Sequence, residues 1–289
     1  MNVLSLFDGI SCGFLALKRA KIKVDRYYAS EIDKTAIKIS QKNHSKIIHI
    51  GDVKNLMGWY LPTIDLLIGG SPCQDVSRAK RNGLGLLGDK SCLVWEFIRI
   101  FNETKPKWFL LENVPMKKEW CDIISKELGV EPVELNSNLV SAQNRKRLYW
   151  TNISSKFPIK DKGVKIQDII YDDTHRIFVD ERISNTKKIS KTGVVKWDLT
   201  GKNYHSQQDR AYFKSGKICT IATCPNSIKI VLDYDKNIYR RIHPIEAERC
   251  QTLPDNYTSI SNISLSERFR SIGNCWTVDI IVHILKNIK

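Results

Sequence analysis

The stretch NVLSLFDGISCGFLALKRAKIKVDRYYASEIDKTAIKISQKN, residues 2–43, decides the fold. Its opening NVLSLF is an apolar run of strand length, and SCGFLALKRA places apolar residues at helical spacing after a glycine-containing turn. RYYAS, ending at Glu31, reads as a second strand, and DKTAIKISQKN as a second helix with Asp33 as its N-cap. A strand that returns to the same sheet through a helix pairs in parallel, because a tight hairpin cannot make that connection.

The alternation continues outward. IIHIGD and DLLIGG are short strands, and CLVWEFIRIF carries apolar residues at 93, 94, 97, 98 and 101, one helical face. KWFLLENV is a strand, KEWCDIISKEL a helix and RLYWTN a late strand. The pattern predicts an α/β chain with a doubly wound, Rossmann-like parallel sheet, whose ligands bind at the carboxyl ends of the strands. After about residue 155, polar turns, lysines and short β-like runs replace the alternation. KICTIAT and SIKIVLDY look like strands, no long helix stands out between about 175 and 240, and regular signals return with HPIEAERCQTL and VDIIVHILKNI. The expected organisation is a catalytic and cofactor-binding domain over 1–172 completed by 255–289. A smaller, mostly β or irregular domain occupies 173–240, and a hinge segment 241–254.

Composition narrows the classes. No run approaches the roughly 20 apolar residues of a membrane span, and MNVLSLFDG lacks the basic start and cleavage pattern of a signal peptide. A cytoplasmic protein without a membrane partner is the expectation. The eight cysteines and six histidines form no zinc-binding spacing, so no metal is expected. A net charge of +15 favours a polyanionic partner, nucleic acid before membrane surface.

The strand ends carry the chemistry. The first gives Phe7-Asp8-Gly9-x-Ser11-x-Gly13, a turn whose glycines allow close backbone approach to a ligand. The second ends at Glu31, where nucleotide-binding folds use an acid to hold ribose hydroxyls. The third ends at Asp52, able to accept a bond from an adenine amino group. Together they favour an adenosine-containing cofactor. The fourth strand delivers Pro72-Cys73-Gln74 and the fifth Glu112-Asn113-Val114, a thiol and a carboxyl at one edge of the sheet. With no histidine beside either, this is a nucleophile with an acid partner and not a protease pair.

Six segments in order resemble the C5-cytosine-specific DNA methyltransferase family over almost the whole chain. They are SLFDGISCG, GGSPCQ, LLENV, QNRKR, RIHPIEAERCQTLPDNY and RFRSIGNCWTVDII. Details such as FDGI, ASE and VSAQ are also similar to the eukaryotic de novo branch, and a prokaryotic or phage enzyme without regulatory domains fits equally. The resemblance implies a Rossmann-like domain that uses S-adenosylmethionine, leaving S-adenosylhomocysteine, with a smaller target-recognition domain. It implies that the Cys73 thiolate adds to C6 of a cytosine flipped out of duplex DNA, turning C5 into a nucleophile for the methyl group. Glu112, protonated or sharing a proton, would hold N3 and the 4-amino group. Arg147 would bond O2, Arg145 would order the site or bind phosphate, and Gln143 belongs to the same catalytic motif. Phe7, Asp8, Gly9, Ser11, Gly13, Glu31, Ile32, Asp52, Val53, Pro72, Leu93, Asn274 and Trp276 would form the cofactor site, with Ile32 offering adenine an aliphatic face.

The basic, glycine-containing segment DVSRAKRNGLGLLGDKS resembles the family's closing catalytic loop, and Gln74, Ser77, Arg78, Lys80 and Arg81 would contact DNA. In SQQDRAYFKSGKICTIA, Gln207, Gln208 and Arg210 could reach base edges or fill the gap left by the flipped base. The implied partner is double-stranded DNA, the implied state a monomer, and a cognate restriction endonuclease acting separately is compatible with it. A tRNA cytosine-5 methyltransferase of the same family and a non-catalytic DNA-binding module are the competing readings.

Overall fold

The computed structural model describes residues 1–72, 93–154, 159–172, 174, 176–179, 187–189, 194–197, 210–223 and 228–288. It divides into two compact units, the first comprising 1–136, 146–159 and 278–289 and the second 137–145 and 160–277.

The first unit is built on strands β1 (Asn2–Leu6), β2 (Arg26–Ser30), β3 (Ile48–Gly51), β4 (Leu66–Gly70), β5 (Trp108–Asn113), β6 (Val133–Asn136) and β7 (Lys146–Thr151). Its helices are α1 (Cys12–Arg19), α2 (Lys34–Asn43), α3 (Leu93–Thr104), α4 (Lys118–Leu128) and α7 (Val278–Leu285). The sheet order is β3-β2-β1-β4-β5-β7-β6. β1 to β5 pair in parallel, whereas β7 runs antiparallel to both β5 and β6. The sheet is therefore mixed and not wholly parallel, and β6 is a strand the apolar pattern did not announce. The order reverses at β1, so the ends of β1, β2 and β4 border the crevice where such sheets bind ligands. Asp33 caps α2 as expected, its carboxylate accepting from Thr35 N and Ala36 N. Leu4, Leu6, Leu67, Phe97, Leu111 and Trp150 form the buried centre. The last helix, α7, joins this unit and pairs with α1 through Arg19 and Asp279 at 2.9 Å.

Among the described residues the second unit has six short strands: β8 (Ile177–Val179), β9 (Lys187–Ile189), β10 (Val194–Trp197), β11 (Arg210–Tyr212), β12 (Lys229–Asp233) and β13 (Ile238–Arg241). They form one sheet, ordered β8-β13-β12-β11-β10-β9. Helices α5 (Pro244–Cys250) and α6 (Leu265–Asn274) complete it around Ile166, Tyr212, Ile218, Ile230 and Phe269. KICTIAT is not a strand; only Ile218 makes a bridge, to Gln143.

The unit boundaries differ from the sequence expectation of 1–172 with 255–289, 173–240 and 241–254. Residues 137–145 and 255–277 belong to the second unit, and 241–254 contributes the core helix α5 to it instead of standing apart as a hinge. The physical reason is the partnering of residues 143 and 145, described below. No helix among the described residues is long and apolar enough to cross a membrane.

Candidate active site

The turn after β1 is strained. Phe7, Gly9 and Ser11 all have positive φ, at 56°, 60° and 62°. For phenylalanine and serine this conformation costs about 1–3 kcal/mol each and persists only where the surroundings impose it. Those surroundings are hydrogen bonds. Gly9 N donates to Glu31 Oε2 at 2.8 Å, and Asp8 N donates to Ser30 O at 3.2 Å. The Asp8 carboxylate accepts from Tyr27 Oη at 2.7 Å and from the Ser11 hydroxyl. Burial pushes the Asp8 carboxyl up to about 6, against the lowering effect of bonds from Ser11, Ser5 and Tyr27. Asp8, expected as a cofactor residue, is thus a buried brace of the turn, with both oxygens engaged. Ser11 and Gly13 are buried as well, so a ligand would meet the backbone of this turn more than its polar side chains.

Beside it, Glu31 Oε1 accepts from Ile32 N and Asp33 N, while Oε2 accepts from Gly9 N. A carboxylate offers about four acceptor positions, so one is left on Oε2. Ile32 is 69% exposed, an unusual position for an isoleucine that stands next to a site. Asp52 Oδ1 accepts from Lys54 N, and the carboxylate keeps acceptor capacity among the described residues. The Val53 side chain lies in the core, so a ligand at this strand end would meet its backbone. A Cβ built at Gly9 or Gly51 would meet nothing within 4 Å, so the edge is open where the chain turns.

At the neighbouring strand ends, Gly70 of β4 pairs in register with Glu112 of β5. One residue on, Asn113 Nδ2 donates to Ser71 Oγ at 2.9 Å, locking the two ends together, and Asn113 Oδ1 accepts from Val114 N. Glu112 is 7% exposed, and its Oε1 lies 2.8 Å from Arg147 Nε of β7. Arg147 Nη1 donates to Lys146 O, and Nη2 has no acceptor among the described residues. The buried carboxyl and the arginine fork thus form one charged pair at the mouth of the sheet. Pro72 is half-buried and Leu93 begins α3. Cys73, Gln74, Ser77, Arg78, Lys80 and Arg81 lie outside the described residues, as do Gln207 and Gln208.

The other residues of the Gln-x-Arg-x-Arg motif do different work. Gln143 is fully buried, donating to Cys250 O and Gln251 Oε1 and accepting from Ile221 N. The Arg145 guanidinium, also buried, donates to the carbonyls of Ile221, Gly273 and Cys275. The contacts of Arg145 are those of a residue that orders the segment, one of the two roles expected of it, and Gln143 makes its bonds within the protein interior. Both bind the strand-end segment 137–145 into the second unit. Asn274 ends α6 and is exposed, and Trp276 is half-buried two residues on. Arg210 opens β11, and its Nε is buried without an acceptor among the described residues.

The sequence model of the C-5 cytosine-specific DNA methylases matches residues 1–289. The chain belongs to that family. It is a DNA cytosine-5 methyltransferase, and the tRNA alternative is not favoured. The methylase is 29% identical to the Type II methyltransferase M.FnuDI of Fusobacterium nucleatum, covering 100% of this chain and 94% of that enzyme. It is 28% identical to the Type II methyltransferase M.NgoPII of Neisseria gonorrhoeae, over 100% and 95% of the two chains. Its fold is similar to that of the Entamoeba histolytica methyltransferase EhMeth, with a TM-score of 0.72 at 17% identity, covering 99% and 97%.

Tyr27, Ser40 and Ser71 were not singled out from the sequence, although Ser71 sits inside the quoted GGSPCQ and could have been found there. Tyr27 and Ser40 carried no signal beyond being polar atoms on otherwise apolar, buried faces.

Proposed function

We propose that this methylase transfers a methyl group to C5 of a cytosine in double-stranded DNA by covalent catalysis from Cys73, with Glu112 and Arg147 holding the base. The observation that carries the reading is the register of Gly70 with Glu112. It sets the buried carboxyl and its arginine beside the strand whose chain runs three residues further to Cys73. The donor-side residues fit an adenosine group: an open turn at Gly9, one remaining acceptor position on Glu31, the exposed face of Ile32 and the acceptor of Asp52. S-adenosylmethionine supplies the methyl group when bound there.

Cytosine C5 is a poor nucleophile, so the ring must first be activated. Formation of a bond between Cys73 Sγ and C6, with a proton held at N3 by Glu112, converts the ring to a neutral enamine whose C5 is electron-rich. Glu112 also accepts from the 4-amino group, which selects cytosine. Arg147, anchored through Nε on Glu112, directs Nη2 to O2 and stabilises charge that develops on the ring. Release requires loss of the C5 proton and return of the Sγ–C6 electron pair to sulfur. A stacked base cannot be reached this way, and flipping it out costs a few kcal/mol. The basic segment containing Arg78, Lys80 and Arg81 offsets that cost by binding the backbone, and residues 173–240, including Gln207, Gln208 and Arg210, read the target. The Type II relatives favour a modification role alongside a separate restriction endonuclease.

Bisulfite sequencing of duplex DNA treated with the protein and the donor tests the reading. Protected cytosines in one sequence context are expected, together with their loss in Cys73→Ser and Glu112→Gln. Near-normal turnover by either variant would remove the covalent assignment, and labelling of tRNA in preference to duplex DNA would change the substrate.

A further inference from the structure

The strained turn after β1 needs an anchor, and its anchors come from buried side chains of β2 and α2. Tyr27 lies on β2 and Ser40 on α2, 1% and 0% exposed. Tyr27 Oη donates to Asp8 Oδ1 at 2.7 Å, and the other Asp8 oxygen accepts from Ser11. The Ser11 and Ser40 hydroxyls are 2.6 Å apart, and Ser40 Oγ is 3.4 Å from His49 Nε2 on β3. A continuous chain, Tyr27–Asp8–Ser11–Ser40–His49, therefore runs beneath the turn and ties it to β2, α2 and β3. Two of its members, Asp8 and Ser11, bracket Gly9 and Ile10, and Ser11 has positive φ. A turn of this kind left to itself would relax to negative φ, carrying Gly9 N away from Glu31.

We infer that Tyr27 and Ser40 are positioning residues for methyl-donor binding, acting through Asp8 and Ser11 to hold the Phe7–Ser11 turn in its donor-accepting shape. The inference rests on the reading that this turn takes the donor. It assigns the two residues no contact with substrate. Their contribution falls on ground-state donor binding, because the turn is spent on holding the nucleoside and the reacting base is handled by Glu112 and Arg147. The bonds among Tyr27, Asp8, Ser11 and Ser40 are buried and two of them end on the Asp8 carboxyl, so the loss of one should be felt fully.

The test uses the full chain with Tyr27→Phe, Ser40→Ala and Glu31→Ala, measuring S-adenosylhomocysteine binding by calorimetry and steady-state kinetics with duplex DNA. Tyr27→Phe is expected to weaken binding about tenfold and raise the donor KM in step, with kcat within about twofold, the fold-change expected for one lost charge-assisted bond. Ser40→Ala should act in the same direction and carries the test if Tyr27→Phe does not fold. Unchanged donor affinity in both variants would overturn the positioning role, as would a fall in kcat with KM constant. Unchanged affinity in Glu31→Ala would overturn the underlying reading that the donor binds at this turn. Weakening in Glu31→Ala alone would leave that reading standing and remove Tyr27 and Ser40.

Discussion

Arg145 and Arg147 stand two residues apart in one motif, yet alternation along the chain sends them to different tasks. Arg145 is enclosed, with three backbone carbonyls as acceptors from residues 221, 273 and 275. Removing it strands those carbonyls, each costing about 1–3 kcal/mol if water cannot reach it. Arg145→Ala should therefore lower stability by about 3 kcal/mol or more, read as a fall in the urea midpoint. Arg147→Ala leaves the buried Glu112 carboxyl without its cation and should cost about 1–3 kcal/mol, less than Arg145→Ala, but should reduce kcat by about 100-fold or more. Equal effects of the two on stability would dissolve the distinction. Asp8 gives a second residue-scale test. Its carboxyl is raised from 3.8 to about 6 by burial, so between those values the folded chain keeps a proton that the unfolded chain has released. Stability from this group is thus greatest at low pH and falls as pH rises through that window. On going from about pH 5 to about pH 7.5, wild type should lose about 1 kcal/mol more than Asp8→Asn in urea unfolding. An equal or smaller loss would show that the site is not desolvated.

At the scale of elements, the first unit was legible because each strand and helix is announced by its own residues. Asp33 supplies the N-cap of α2, RYYAS coincides with β2, and the apolar face of CLVWEFIRIF buries Val94, Phe97 and Ile98. Elements held by distant partners were not legible. VELN of β6 has too few apolar residues to show a period, and it forms because β7 presents a free edge. KICTIAT has β-like composition, but its backbone groups at Ile218 bond the backbone of Ala142 and Asn144, and those at Ile221 bond the side chains of Gln143 and Arg145. The same dependence makes α6 unusually intolerant at Gly273. Glycine to alanine in a helix normally gains about 1 kcal/mol. Here the added Cβ would stand 2.5 Å from the carbonyl carbon and oxygen of Ala222, which are backbone atoms and cannot rotate away. Overpacking of this kind costs about 1–3 kcal/mol, and the shift would also disturb Gly273 O, an acceptor for Arg145. Gly273→Ala should therefore destabilise the protein, with a lowered Tm by calorimetry; a raised Tm would mean that the approach of 222 to α6 is not retained.

For the molecule as a whole, the strand ends were legible in the sequence and the unit boundaries were not. The placement of Phe7, Glu31, Asp52 and Glu112 at strand ends was legible because a parallel sheet brings strand ends together whatever lies between them. The assignment of 137–145 to the second unit depends on bonds to residues 76 to 130 positions away, for which a local pattern contains no trace. Charge, in contrast, is a property of the entire chain and is legible without a fold. At +15, with Lys and Arg numbering 46 against 31 Asp and Glu, the protein must release counterions when it covers a phosphate backbone. Neutralising about six phosphates lowers affinity about a thousandfold between about 50 and 200 mM salt. Duplex binding measured by fluorescence anisotropy should weaken by about 10²–10³ over that range. Donor affinity should change by less than about threefold, because the proposed donor site offers backbone amides, one carboxylate position and an apolar face, with no phosphate to screen. A flat salt dependence for DNA would place the positive charge away from the duplex. The recognition of the target would then rest on base contacts alone, an arrangement that could not supply the backbone grip needed to hold a duplex with one base removed from its stack.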